Sequence, residues 1–284
     1  MLDEDFLMGL ARITVFVLML LNGARIPMRD LFSLQRKPAL LIRSMGAVIL
    51  LVPGVVLMIL LLVDLPIEVA TGLALLAAAP GAPLITQRSR IAAGSASLAA
   101  DLQLKLVLAA VLVTPLTLTL FKALFPLLPE LASSPTAVAR EIAVVSLLPV
   151  GLGLFIQRFL PSTAERLGRP LNVVAQVLFL VLAILVAWFA ARMTIQLGGM
   201  VALAIVIMAA AALAIGHVIG AGATLNQRAS IATACVARNL GLAVIIAAAD
   251  DILAKLLPTL MAYMLLGMLV AAPYAVWVRR HLTL

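Results

Sequence analysis

Charged residues are scarce in this 284-residue chain, where only 11% of the residues are Asp, Glu, Lys or Arg. Soluble globular domains carry about 25% charged residues, which form much of their water-facing surface. Hydrophobic residues make up 65% of the chain. This composition leaves too little polar surface for a single water-soluble domain and indicates a protein embedded in the lipid bilayer.

Cysteine and the common catalytic motifs are also nearly absent. The single cysteine, Cys235, excludes an intrachain disulfide. There is no P-loop, which argues against an ATP-driven pump. An HExxH motif, paired carboxylates and a nucleophile–base set are missing too, so we predict neither an enzyme nor a bound cofactor. The formal net charge is +8, but the basic residues fall in short loops, which favours membrane topology over nucleic-acid binding.

Long apolar stretches recur along the whole chain. A transmembrane helix needs ~20 mostly apolar residues, and nine stretches meet that requirement. We therefore predict an all-α polytopic membrane protein with about nine transmembrane helices. The predicted spans are 6–23, 39–63, 67–89, 95–128, 137–159, 171–191, 197–221, 229–249 and 252–278.

The basic residues alternate between the two sides of this arrangement. By the positive-inside rule, the side with more Lys and Arg faces the cytoplasm. This predicts an N-terminus outside and a cytoplasmic C-terminus, in a bacterial inner membrane. The acidic start of the chain does not resemble the basic start of a signal peptide. The thirteen basic residues on the predicted cytoplasmic side are Arg25, Arg29, Arg36, Lys37, Arg43, Arg88, Arg90, Arg158, Arg166, Arg169, Arg228, Arg279 and Arg280.

Two of the spans contain residues that interrupt a helix. Span three carries Pro80, Gly81 and Pro83 at its centre, and span eight carries Arg238 and Asn239. Lipid cannot satisfy the freed backbone groups, so each break must be buried in protein or line a wet cavity. Paired broken helices are typical of secondary transporters built from inverted repeats. We predict one transporter domain, 1–284, with repeats of about 1–130 and 137–284.

Six stretches carry a family resemblance over nearly the whole chain. They resemble helices of the bile acid:sodium symporter family in order and spacing. This resemblance implies two inverted repeats with two crossover helices, of which the first repeat lacks its first helix here. It also implies transport of a small organic anion. The stretches are 17–37, 77–81, 93–95 with 114–116, 147–154 and 239–243.

The sequence departs from the family at its sodium sites. The family places a Glu four residues before a Gln-Asn pair, and these positions are Ala234, Arg238 and Asn239 here. The Ser-Asn expected after the first break falls on Ile85 and Thr86. Sodium prefers hard oxygen ligands, as other hard cations do, so we do not expect ordinary sodium coupling. The other expected polar positions fall on Ala99, Gln103 and Val48.

These observations give a site hypothesis in which Arg238 replaces a bound sodium ion and pairs with Asp101, with Lys105 sharing the pair. Sodium, a proton through Asp101, and no coupling ion remain open, as does a fixed Arg–Asp clamp without a role in binding. Arg88 and Arg90 either attract an anionic solute or mark the cytoplasmic side. The predicted solute-binding residues are Arg238, Asn239, Thr86, Gln87, Pro80 and Gly81, and the predicted coupling residues are Asp101, Gln103 and Lys105.

Two other functions are compatible with the same sequence. The first is a channel-like or regulatory membrane protein that kept the fold and lost the transport cycle. The second is a sodium-coupled symporter that uses non-standard ligands. Saturable uptake with counterflow separates a transporter from a channel, and sodium dependence separates the two kinds of transporter.

Overall fold

The computed structural model describes residues 4–25, 34–125, 127, 131, 133–160 and 198–282, with the single residues 162, 170, 173 and 177. Within these ranges all regular structure is helical. We number the helices in chain order as α1 Glu4–Arg25, α2 Pro38–Leu62, α3 Ile67–Ala78, α4 Ile85–Ile91, α5 Ala96–Leu124, α6 Pro135–Phe159, α7 Gly199–Ile219, α8 Leu225–Val236, α9 Leu240–Ala249 and α10 Leu253–Leu282.

Six of the described helical segments are long and apolar enough to cross a membrane: α2, α5, α6, α7, α10 and the α8–α9 pair. Large apolar side chains face outward along them, which a soluble protein would bury. This confirms the prediction of an all-α polytopic membrane protein. Outward-facing examples are Leu50, Leu61, Leu112, Leu116, Phe155, Leu203 and Leu269.

The predicted spans match the helices with a few corrections at their ends. Span four was predicted to reach residue 128, but α5 ends at Leu124 because Phe125 has an extended backbone. Span eight was predicted to begin at residue 229, but α8 begins at Leu225, because the extended residue before that helix is Thr224. Apart from residues 173 and 177, span six, 171–191, lies outside the described residues, and the inverted-repeat arrangement stays a prediction.

Helices α2 and α6 each contain a π-helical turn just before a proline. The wider turns cover Ala47–Leu51 and Ala143–Leu147, and Pro53 and Pro149 follow them. A proline inside a helix clashes with the carbonyl of the preceding turn and has no N–H to donate. The π turn relieves that clash without ending the helix, but it leaves one carbonyl without its usual donor.

The two broken spans are the helix pairs α3–α4 and α8–α9. Helix α3 ends at Ala78, two residues before Pro80. In the break, Gly81 has φ +78°, and a Cβ atom there would lie 3.1 Å from the backbone N of Val107. Only glycine combines that conformation with such close packing against α5. Helix α9 starts after Asn239, whose side-chain oxygen accepts a hydrogen bond from the N–H of Leu242.

Small residues allow close contact between helices α1 and α6. A Cβ atom on Gly23 would lie 2.1 Å from the carbonyl oxygen of Val150. One on Gly153 would lie 2.1 Å from the carbonyl oxygen of Leu20. In a membrane, where apolar burial does not drive helix association, such close backbone packing supplies much of the attraction. These glycines therefore hold α1 against α6.

Contacts between distant parts of the chain define two ends of the bundle. At one end, Lys37 donates a hydrogen bond to Gln227, and Arg279 donates to the carbonyl of Ile91 over 2.6 Å. At the other end, Asp250 follows α9 and accepts two hydrogen bonds from the linker before α6. The basic residues Lys37 and Arg279 thus lie at the same end of the molecule.

Candidate functional site

The two breaks meet in the interior and are joined by a backbone hydrogen bond. The N–H of Asn239 donates to the carbonyl of Ala79 over 2.9 Å. In a continuous helix the donor for Ala79 would be residue 83, but Pro83 has no N–H. Asn239 is only 1% exposed, and its side chain also starts α9. The crossing therefore satisfies one carbonyl that a proline has freed.

Arg238 binds three further carbonyl oxygens at the crossing. Its Nε donates to Leu76 over 2.9 Å, its Nη1 donates to Val48 over 3.2 Å, and its Nη2 donates to Ala77. The side chain is 5% exposed. One guanidinium thus connects the end of α3 to the π turn of α2, and its positive charge lies inside the bundle.

Proline explains why two of these carbonyls lack their usual helical donor. Residue 80 would be the helical donor for Leu76, and Pro80 removes it, so this carbonyl accepts instead from the N–H of Ala79 over 3.1 Å and from Arg238. In the wider π register, residue 53 would be the donor for Val48, and Pro53 removes that one as well. An unsatisfied carbonyl inside a membrane protein costs several kcal/mol, roughly as in apolar solvent. The guanidinium, with five N–H donors, satisfies several carbonyls at once.

This geometry corrects the expected pairing of Arg238 with Asp101. The carboxylate of Asp101 is fully buried and accepts a hydrogen bond from the N–H of Leu34 over 2.7 Å. Lys105, one helical turn later, forms an ion pair with it, as the sequence predicted. Arg238 instead bonds to carbonyls at the end of α3 and in the π turn of α2, while Asp101 holds the loop before α2.

A second polar cluster surrounds the carbonyl of Pro83. It accepts hydrogen bonds from Asn22 Nδ2 over 2.7 Å and from Gln103 Nε2 over 3.2 Å. The hydroxyl and N–H of Thr86 donate to Gln103 Oε1 over 2.9 and 3.3 Å. The cluster joins α1, the first break and α5, and both Asn22 and Thr86 are half-buried. The polar groups of Asn22 and Thr86 are therefore only partly enclosed by the protein.

The other predicted site residues are distributed around these two clusters. Pro80 and Gly81 are buried beside the crossing. Gln87 is exposed on α4, and the Asp101–Lys105 pair lies separately on α5. The structure therefore brings Pro80 and Gly81 together with Arg238 and Asn239, while Thr86 and Gln103 form the second cluster.

Three partners in the site were not anticipated from the sequence. The carbonyl of Val48 lacks a helical donor because Pro53 has no N–H, and this mid-span proline was the signal in the sequence. Asn22 is a polar residue in the apolar stretch Val15–Ala24 of α1, and its isolated polarity was a second signal in the sequence. The hydroxyl of Tyr263 donates a hydrogen bond to the carbonyl of Val236 at the end of α8 over 2.8 Å. No local sequence pattern identifies Tyr263 as part of the site.

Comparison with known proteins finds a family match over most of the chain. The model of the Sodium Bile acid symporter family matches residues 12–198. This range includes the first break and the cluster at Pro83, and it ends before the second break. No curated protein matches the chain.

We expect Arg238→Met to lower stability, because the substitution removes the donors and leaves the carbonyls of Leu76, Ala77 and Val48 in place. Leu76 keeps the N–H of Ala79 as a donor, so the carbonyls of Ala77 and Val48 are the ones left unsatisfied. Each such buried acceptor costs about 1–3 kcal/mol, so we expect a total loss of roughly 2 kcal/mol or more. Scanning fluorimetry of the purified protein in detergent measures the loss as a lower Tm. The control is Arg90→Met, at an exposed position, where we expect little change. Equal Tm values for the two variants would contradict the role of Arg238.

Proposed function

Because the chain belongs to the sodium bile acid symporter family, we propose that it is a secondary transporter of a small organic anion whose crossing carries a built-in cation. At family level the protein is an integral membrane transporter of the symporter type. The observation that supports the finer proposal is the position of Arg238, which places a positive charge on three backbone carbonyls where the two broken helices meet.

Arg238 takes the place of a bound sodium ion in this proposal. Backbone carbonyls are hard oxygen ligands of the kind that small cations use, and here guanidinium nitrogens occupy them. Four residues earlier, where the family has a glutamate, Ala234 is apolar and fully buried. A tethered cation beside an apolar side chain supports a crossing that stays assembled without sodium.

Three features favour an anionic solute. The charge of Arg238 is fixed inside the bundle, and its hydrogen bonds are to neutral carbonyls. Helix α9 begins at the crossing, and helix N-termini carry partial positive charge. The cluster at the first break, with half-buried Asn22 and Thr86 and buried Gln103, supplies polar groups for the remainder of the solute. We also propose that the Asp101–Lys105 pair on α5 supplies any proton coupling.

Counterflow in proteoliposomes tests this function. Vesicles are loaded with an unlabelled organic acid from a panel, and uptake of the labelled acid is followed in sodium and in choline buffers. We expect saturable counterflow at the same rate in both buffers, because Arg238 needs no sodium. A strict requirement for sodium would contradict the built-in cation, and a flux that does not saturate would indicate a channel. A pH gradient tests coupling through Asp101.

We propose further that the end of the bundle with Lys37 and Arg279 faces the cytoplasm, following the positive-inside rule. Cysteine labelling tests this orientation, since Cys235 is fully buried and does not compete. We expect Leu282→Cys, at the exposed end of α10, to react with a membrane-impermeant maleimide only after the cells are opened. Asp251→Cys, at the opposite end and exposed, should react in intact cells. The reverse pattern would contradict the proposed orientation.

A further inference from the structure

Arg88 differs from Arg238 in its surroundings. It lies on α4, in the second half of the broken third span, and its side chain is half-buried. Within the described part of the chain, its guanidinium has neither a hydrogen-bond acceptor nor an ion-pair partner. A charged side chain inside a membrane span is costly unless it pairs with something, and it usually marks a path for solutes or ions. Arg88 therefore requires a partner that the described residues do not provide.

The packing of α4 shows which way Arg88 lies. Ser89, the next residue, is fully buried and its Oγ is 2.8 Å from Oγ of Ser230 on α8. The carbonyl of Ile91 accepts from Arg279 on α10. Successive helix residues are rotated by about 100°, so Arg88 is turned away from the serine contact. Its guanidinium also lies within electrostatic range of Tyr263 on α10.

The positive charge of Arg88 is not compensated by an ion pair with any of the described carboxylates. Tyr263 lies within electrostatic range of both Arg88 and Arg238, and its hydroxyl already donates a hydrogen bond to the carbonyl of Val236. Asp101 is bonded to the N–H of Leu34 and to Lys105. None of the described acids forms an ion pair with either arginine. Of the two guanidiniums, that of Arg238 already binds three carbonyls, whereas that of Arg88 has no acceptor among the described residues.

We propose that Arg88 binds the carboxylate of the transported anion and sets the specificity for monoanionic organic acids. This inference rests on the proposed function and assigns its recognition step to one residue. The guanidinium is suited to the role, because its planar N–H groups match the two oxygens of a carboxylate. Arg90, two residues later, is exposed and serves as the matched comparison.

Ligand-dependent thermal stability tests the proposal in purified protein. The probes are the potassium salts of acetate, benzoate and octanoate, each compared with its neutral amide. A ligand that binds the folded state raises Tm by mass action. We expect at least one acid to raise the Tm of the wild type and of Arg90→Gln, and its amide to have little effect. In Arg88→Gln we expect the affinity for that acid to fall roughly tenfold or more, as for loss of a charged hydrogen bond.

If Arg88 had only a structural role, Arg88→Gln would have a lower Tm than the wild type without ligand. Under our proposal the substitution removes an unpaired cation from a half-buried position, so the Tm of unliganded Arg88→Gln should equal or exceed that of the wild type. Arg88→Lys keeps the charge and should retain part of the response to the acid. The proposal is overturned if no acid stabilises the wild type, or if Arg88→Gln responds as the wild type does. Sodium-independent counterflow of an acid that persists unchanged in Arg88→Gln would remove Arg88 from recognition and leave the proposed function intact.

Discussion

The interior of this protein is organised by backbone carbonyls that prolines have deprived of their helical donors. In lipid there is no water to satisfy such groups, so each one needs a donor from elsewhere in the chain. Pro53, Pro80 and Pro83 remove helical donors at the centre of the bundle, and the break at Gly81 takes the helical donor away from Ala77. Arg238 and Asn239 meet this need, with three side-chain hydrogen bonds and one backbone hydrogen bond. The crossing of the broken helices depends on these bonds.

The choice of an arginine as donor has a functional consequence. A neutral amide could satisfy one or two carbonyls, whereas a guanidinium satisfies several and adds a fixed positive charge. In the proposed function, that charge takes the place of a sodium ion. The proposal then implies a crossing that stays assembled at any sodium concentration and an interior with a positive potential for an anion. It also assigns different roles to two arginines: the hydrogen bonds of Arg238 hold the crossing together, and the guanidinium of Arg88 is proposed to bind the ligand.

Much of this architecture could be predicted from local sequence features. The apolar stretches predicted the long helices, and the prolines of span three predicted its break, because both depend on the covalent properties of a few neighbouring residues. The polarity of Arg238 and Asn239 marked the second break for the same reason. The helix ends were less accurate, as at Phe125, because they depend on what each terminus packs against.

The partners of the charged residues could not be predicted in the same way. Asp101 was the expected partner of Arg238 because opposite charges attract, but that expectation ignored neutral acceptors. Carbonyls are present at every residue, and only the three-dimensional path shows which of them lack a donor. Pro53 could have identified the carbonyl of Val48 as one without a donor, but only if the i to i+5 hydrogen-bond spacing of a π turn had been assumed. Tyr263 and the environment of Arg88 depend on contacts between distant helices, which no local pattern shows.

The most direct test of the account is the effect of sodium on thermal stability, compared with potassium, in the wild type and in the double variant Ala234→Glu/Arg238→Gln. The double variant restores the family's glutamate four residues before a Gln-Asn pair. If Arg238 stands in for sodium, sodium should leave the Tm of the wild type unchanged and raise that of the double variant. A clear stabilisation of the wild type by sodium over potassium would contradict the account.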